Sequence, residues 1–412
     1  MYIKNIEIKN IGPFDSGKIE FAWNPADESG HPVTIITGVN GAGKSIIIDA
    51  LRAALSGQKL ERDIVADEDD FFIKLDVIRN GVLSEIKTSK YLNSAIKPAD
   101  YMNIGIYLCT GYRKEDEVQP WIVDYWSSKM PTDSFALSNI GSIKHENVLA
   151  GVMLGKKSNL ELTKFLCHID YLRSSDVPSE KELGEYIFGA VKEAINRCLD
   201  NGKFKYIRRT DLQPIIEQNG KEVTLEKLSS GNIFLIEHIV LLMCKMYSLS
   251  VLLNLPPAEM LKSKGLLLID EVETHLHPKW QKSILPIIRS LFPNLQLILT
   301  THSAFVLSSL PGVRIYTCKP GVGHSQIVDE TDVYSSLPVD EVLLSDTFNV
   351  TPFNNDITEM MRTRKSALKE GDDEEVKRIE SKLVDINPKY FSYMENREID
   401  DLLKNITDGV EK

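Results

Sequence analysis

One eight-residue stretch constrains this 412-residue chain more than any other. It is Gly38-Val39-Asn40-Gly41-Ala42-Gly43-Lys44-Ser45, which fits the spacing G-x-x-x-x-G-K-[ST]. Residues 33–37 (VTIIT) ahead of it are apolar and β-branched, and read as a buried strand. The IIIDALRAAL run behind it has helical spacing and good helix formers. Strand, glycine-rich turn, helix is the context this motif needs. Glycines let successive backbone N–H groups converge on one concave point, and the helix start adds partial positive charge. The expected phosphate-binding positions are Asn40, Gly41, Ala42, Gly43, Lys44 and Ser45, together with the next position, Ile46. Lys44 is placed to reach β- and γ-phosphates, and the Ser45 hydroxyl to reach Mg²⁺.

Residues 265–269 (GLLLI) form a second continuous apolar run, ending in Asp270 and Glu271. This reads as a buried parallel strand with two acids at its carboxyl end, where open α/β sheets bind ligands. Two adjacent acids alone are an ordinary solvated strand end. Beside a phosphate loop they gain roles: Asp270 in the Mg²⁺ shell, and Glu271 as the base that polarises the attacking water. A third strand at 295–300 (LQLILT) leads to Thr301-His302-Ser303. It puts His302 at a strand tip as a γ-phosphate sensor or water-orienting group. Glu271 and His302 are thus the catalytic candidates. His275 and His277 stand two apart with no further zinc ligands evident nearby, so a loop contacting a second subunit is the expectation.

Residues 203–217, an Asn219-Gly220 turn and EVTLEKL suggest short strands. They lead to Leu228-Ser229-Ser230-Gly231-Asn232, which opens a long helix beginning near Ile233. Small residues and hydroxyls at a helix start cap it, and also make an anion-binding terminus. One triphosphate needs only one phosphate loop, so a second such terminus suggests service to another subunit's nucleotide.

The ordered set GVNGAGKS, LSSGN, LLLIDEVETHLHP and LILTTHS resembles the ABC-type ATPase head family, in its soluble SMC-, RecF- and OLD-type branch. The resemblance covers roughly 1–60 and 205–330. It implies that Lys44 and Ser45 are the Walker A pair, with Asp270 as the Walker B acid and Glu271 as the catalytic base. Ser230 and Gly231 then fall in the signature loop, Glu273 to His277 in the D-loop, and His302 is the switch histidine. It also implies ATP and Mg²⁺ as cofactors, and a dimer or higher even oligomer in which one protomer's signature loop closes on the other's nucleotide. Asn232 departs from the acidic residue or glutamine of many members. No Q-loop glutamine is evident, since neither Gln58 nor Gln119 has a convincing strand before it.

The fold class expected is α/β: a P-loop ABC-type head with a mixed sheet, a helical insertion and a charged helical C-terminal tail. The domains expected are 1–114 (Walker A lobe), 115–202 (helical arm), 203–334 (signature, Walker B and switch lobe) and 335–412 (assembly or partner region). Residues 1–22 read as two strands about Ile11-Gly12-Pro13, and 70–90 as a hairpin on Asn80-Gly81. Residues 104–108 read as a strand followed by Arg113, and 115–157 as irregular, with Trp121 and Trp126 in a local core. Residues 158–200 read as helices without the sustained heptads of a long coiled coil. Residues 355–371 and 373–385 read as a charged helical hairpin, with another helix after Pro388.

Lys plus Arg is 48 against 59 Asp plus Glu, a net charge of −11, which excludes a general polyanion binder. Lys203, Lys205, Arg208 and Arg209 form a small basic cluster that reads either as a phosphate-binding patch or as a solvated hairpin. The five cysteines (Cys109, Cys167, Cys198, Cys244 and Cys318) are scattered without CxxC spacing, which suits a reducing cytoplasm. The apolar stretch 233–255 carries Glu237, His238 and Lys245, and reads as a buried helix rather than a membrane span. The short head, compact arm and charged tail look similar to ATPase subunits of bacterial anti-phage systems of the Septu and retron type. That implies a separate HNH-type nuclease partner, nucleic acid reached through that partner, no nuclease domain in this chain, and no membrane. The alternative is a RecF/SMC-like repair ATPase that binds DNA directly. A transporter subunit is disfavoured by the insertion and tail.

Overall fold

The computed structural model describes residues 1–23, 32–57, 60–89, 118–155, 158–334, 337–345, 348 and 353–392. Contacts divide the chain into a unit spanning Met1–Val342 and a smaller one, Leu343–Lys412.

The first unit begins with strands β1 (Tyr2–Ile11) and β2 (Phe14–Glu20), folded antiparallel about Gly12-Pro13 as expected. β3 (Val33–Gly38) is buried at every position and runs into the phosphate loop, then helix α1 (Lys44–Ser56). β4 (Phe72–Arg79) and β5 (Val82–Thr88) form the expected hairpin. Asn80 and Gly81 both take positive φ, as a two-residue turn of this kind needs. These four flanking strands make an antiparallel sheet in the order β2-β1-β4-β5.

β6 (Trp121–Trp126) corrects the expectation that 115–157 is irregular. All six of its residues are buried, Trp121 and Trp126 among them. Helices α2 (Asn159–Arg173) and α3 (Pro178–Arg197) follow as an antiparallel pair. At 20 residues α3 is about 30 Å long, far short of a coiled-coil arm. The pair is closely packed: a Cβ on Gly184 would lie 2.2 Å from the backbone nitrogen of Arg173.

A three-stranded meander comes next: β7 (Gly202–Arg208), β8 (Gln213–Gln218) and β9 (Lys221–Thr224). Then α4 (Ser230–Leu252) starts three residues earlier than Ile233, because Ser229 caps it by accepting the Asn232 N–H. It is the one described helix long and apolar enough to cross a membrane, and most of it is buried in the fold. Lys245 within it pairs with the buried carboxylate of Asp124 on β6.

β10 (Lys264–Ile269), helix α5 (Pro278–Leu291), β11 (Leu295–Thr300), β12 (Arg314–Pro320) and β13 (Ser325–Asp329) complete the central sheet. Its order is β13-β12-β3-β11-β10-β6. Every neighbouring pair is parallel except β12 with the edge strand β13, so the sheet is mixed. The continuous apolar runs read at 33–37, 265–269 and 295–300 are three of the buried parallel strands. Sequence segments 1–114, 115–202 and 203–334 all contribute strands to this one sheet, through β3, β6 and β10–β13. The parallel strands carry their carboxyl ends to a common edge, where Gly38, Asp270 and Thr301 emerge.

The second unit contains α6 (Asn355–Glu370) and α7 (Asp373–Ile386), joined at Gly371 in a left-handed cap, the expected charged hairpin. Ile379, Leu383 and Phe391 form its core, with Phe353 and Ile357 packed against them. Arg364 is held by Glu380 at 2.7 Å in a shielded position. The expected strand at 104–108, Arg113, Gln58, Cys109 and most of the helix expected after Pro388 lie outside the described residues.

Candidate functional site

The loop between β3 and α1 takes the backbone its glycines permit. Gly41 has φ +79 and Gly43 φ +103, the left-handed region in which a side chain is strained. Gly43 also has no room, since a Cβ there would sit 2.5 Å from the Phe14 ring. Gly38 is equally closed, because the Cys318 carbonyl on the neighbouring strand would lie 2.3 Å from its Cβ. Asn40, Gly41, Ala42, Gly43, Lys44 and Ser45 thus stand together at the start of α1, whose first-turn N–H groups face the loop. Position 46 is the exception. Its side chain is apolar and lies against Gly12, so Ile46 offers the site only its backbone.

Lys44 is 4% exposed, and its ammonium donates to the loop carbonyls of Gly38 (3.0 Å) and Val39 (2.9 Å). Burial lowers its pKa, opposed by Cys318 and the carboxylates of Glu273, Glu271 and Asp270. The Ser45 hydroxyl donates to Asp270 Oδ1 at 2.8 Å, which joins the two expected halves of the site across 225 residues of sequence. A hydroxyl and a carboxylate at adjoining positions are the hard oxygen donors that suit Mg²⁺, which needs few protein ligands when phosphates supply others.

Thr300, at the tip of β11, belongs to the site although no motif marks it. Its hydroxyl donates to Asp270 Oδ1 (2.6 Å) and accepts the Glu271 N–H (2.8 Å). That second bond holds Glu271 at φ +52, an uncommon conformation for a residue with a side chain. The adjacent hydroxyls of TTH at a strand's carboxyl end were the available signal. Glu273 and Thr301 form a second such contact: the Thr301 hydroxyl donates to Glu273 Oε2 at 2.7 Å, and the His302 N–H donates to Oε1. Burial raises the Glu273 carboxyl pKa, opposed by these two donors. His302 lies at the strand tip as expected. Burial, aided by the Lys44 charge, lowers its pKa to about 4, so the imidazole is neutral at physiological pH.

His277 has a structural task. Its ring accepts the Lys279 N–H and caps α5, with Pro278 at the first helical position. His275 has φ +66, and its Nε2 lies 3.2 Å from the Ser128 carbonyl oxygen. Its own carbonyl presses on the start of α4, where a Cβ on Gly231 would come within 2.7 Å. Ser230 is exposed there. Asn232 turns inward, and its Nδ2 donates to the Cys198 carbonyl at 2.6 Å. The departure from the family residue at 232 is therefore a tie to the end of α3. Gln119 precedes β6, whose register with β10 places Trp121 beside Lys264 and Trp126 beside Ile269. It lies at the end of the sheet opposite Asp270 and is no part of this site.

Three of the four residues of the basic cluster are already engaged. Lys205 pairs with Glu217 (2.8 Å), Arg208 with Asp211 (2.6 Å) and Arg209 with Asp170 (3.2 Å).

A Walker loop joined through serine to a strand-end acid, with a second acid and a strand-tip histidine alongside on a mixed sheet, defines an ABC-type ATPase head. Comparison with known proteins agrees: a model described as "AAA domain, putative AbiEii toxin, Type IV TA system" matches residues 169–308, and one described as "AAA domain" matches 5–105. The chain is similar to the retron Vc95 probable ATPase of Vibrio cholerae serotype O1 biovar El Tor, 25% identical over 75% of this chain and 73% of that protein. It is also similar to the retron Ec83 probable ATPase of Escherichia coli, 30% identical over 43% of this chain and 32% of that protein. The Septu protein PtuA of Bacillus thuringiensis is 21% identical over 75% of this chain and 74% of that protein. Among solved structures, an SMC head domain from Thermotoga maritima covers 80% of this chain and 99% of its own, at 16% identity and a TM-score of 0.42.

Proposed function

We propose that this chain is the ATP-hydrolysing subunit of a bacterial anti-phage defence complex, assembled as a dimer or higher even oligomer and controlling a separate HNH-type nuclease. The observation that carries the enzymatic part is the Ser45–Asp270–Thr300 hydrogen-bond cluster beside buried Lys44. The defence part is supported by similarity to retron ATPases and Septu PtuA.

When bound, Mg²⁺ supplies positive charge to a triphosphate and orients its oxygens. Ser45 and Asp270 are the residues that would hold it. Lys44 leaves its loop carbonyls to meet β- and γ-oxygens, while the N–H groups of the loop and first helical turn cradle the phosphates. Glu271 accepts a proton from the attacking water. His302 hydrogen-bonds the terminal phosphate or the water. Exposed Ser230, at the start of a 23-residue helix, faces outward to complete a partner protomer's site.

Glu271→Gln tests this directly. The variant is expected to keep ATP binding, accumulate an ATP-dependent dimer by light scattering, and lose turnover by about 100-fold or more. Hydrolysis near the wild-type rate would remove Glu271 as the base. Ser230→Ala should reduce turnover while leaving the isolated protomer's nucleotide affinity unchanged.

A further inference from the structure

We infer that Glu273 is a positioning residue for His302: its carboxylate pins the strand tip that presents the imidazole to the phosphate loop. This rests on the reading of Glu271 and His302 as hydrolytic groups.

The Thr301 N–H is the last at this tip to bond to β3, donating to the Ile36 carbonyl at 3.0 Å. The next N–H, that of His302, lies beyond the ladder, and buried backbone donors need partners. It donates to Glu273 Oε1. The adjacent Thr301 hydroxyl donates to Oε2, so each carboxylate oxygen takes one donor from consecutive residues. Two bonds to one planar group fix a segment's rotation as well as its position. Beyond His302, the Ser303 hydroxyl donates to Gln281 Oε1 at 2.6 Å, and the Ser303 N–H donates to the same Thr301 hydroxyl that Glu273 holds, at 3.0 Å. Glu273 therefore closes the remaining freedom of a three-residue tip. It bonds to backbone and hydroxyl groups that do not react, so it acts through His302.

Chemistry at the carboxylate sets up the discriminating pair. A glutamine can reproduce both bonds, with its carbonyl accepting the His302 N–H and its amide donating to the Thr301 oxygen. An alanine leaves both donors unpaired.

The test uses the full chain with ATP and Mg²⁺, measuring turnover, affinity for a fluorescent ATP analogue, and thermal melting. Glu273→Ala is expected to lower kcat by about 10- to 100-fold with nucleotide affinity within about twofold. Glu273→Gln is expected to stay within about threefold of wild type. Wild-type turnover in Glu273→Ala would overturn the assignment. So would a Glu273→Gln variant as slow as Glu273→Ala, since negative charge rather than hydrogen bonding would then be the requirement. If Glu273→Ala does not fold, Thr301→Val removes one donor while keeping shape, and an unchanged kcat there overturns the proposal. Failure of the site reading is separable, because it appears as hydrolysis in Glu271→Gln whatever the Glu273 variants do.

Discussion

His302 shows how one site residue links chemistry to stability. An imidazole in an unfolded chain protonates near pH 6.5, whereas in the folded protein burial and the Lys44 charge hold it neutral down to about 4. Between those values the unfolded state binds more protons, so this residue's contribution to stability is complete above about pH 6.5 and declines as pH falls to about 4. In the nucleotide-free protein, melting temperature should therefore drop more steeply over that window for wild type than for His302→Gln. Parallel slopes by scanning fluorimetry would contradict this. The residues of the Walker loop were legible because they form one run with one backbone requirement. Thr300 and Glu273 were not, because their bonds to Glu271 and His302 span 29 residues and exist only once β10 and β11 lie in register.

Among the elements, β6 is one whose identity the sequence concealed. WIVDYW has strand-forming residues, but Asp124 in its middle breaks the apolar run by which β10 and β11 were read. The structure satisfies that carboxylate with the Tyr125 N–H (2.9 Å), Trp126 Nε1 (3.1 Å) and the Lys245 ammonium from α4. Asp124 is fully buried and Lys245 nearly so. Removing one partner of such a pair strands the other, so Asp124→Ala should lower unfolding free energy by about 3–5 kcal/mol. Chemical denaturation measures it, and a loss below about 1 kcal/mol would show the pair to be dispensable. By contrast α2 and α3, the Asn-Gly hairpins and the α6–α7 hairpin were legible from local signals alone, since turn chemistry and helical periodicity need no distant partner. α4 starts three residues before Ile233 because Ser229 is its cap.

Across the whole molecule, charge argues against direct grip on DNA. The net charge is −11, and carboxylates already hold Lys205, Arg208 and Arg209. Naked duplex in about 150 mM salt should therefore bind the chain alone only at the weak end of the non-specific range, about 10⁻⁴ M. Fluorescence anisotropy decides this, and micromolar affinity with a steep salt slope would favour the repair-type alternative. The order of strands in the central sheet has a separate consequence for the chain's birth. β3 lies between β11 and β12, so residue 33 finds its partner near residue 297. A ribosome that has finished the glycine-rich loop must still translate some 260 residues before that strand has neighbours, about half a minute at ordinary bacterial speed. Until β11 emerges the nascent polypeptide carries an apolar strand with no strand to pair with. The finished enzyme acquires its nucleotide pocket only as its last strands emerge.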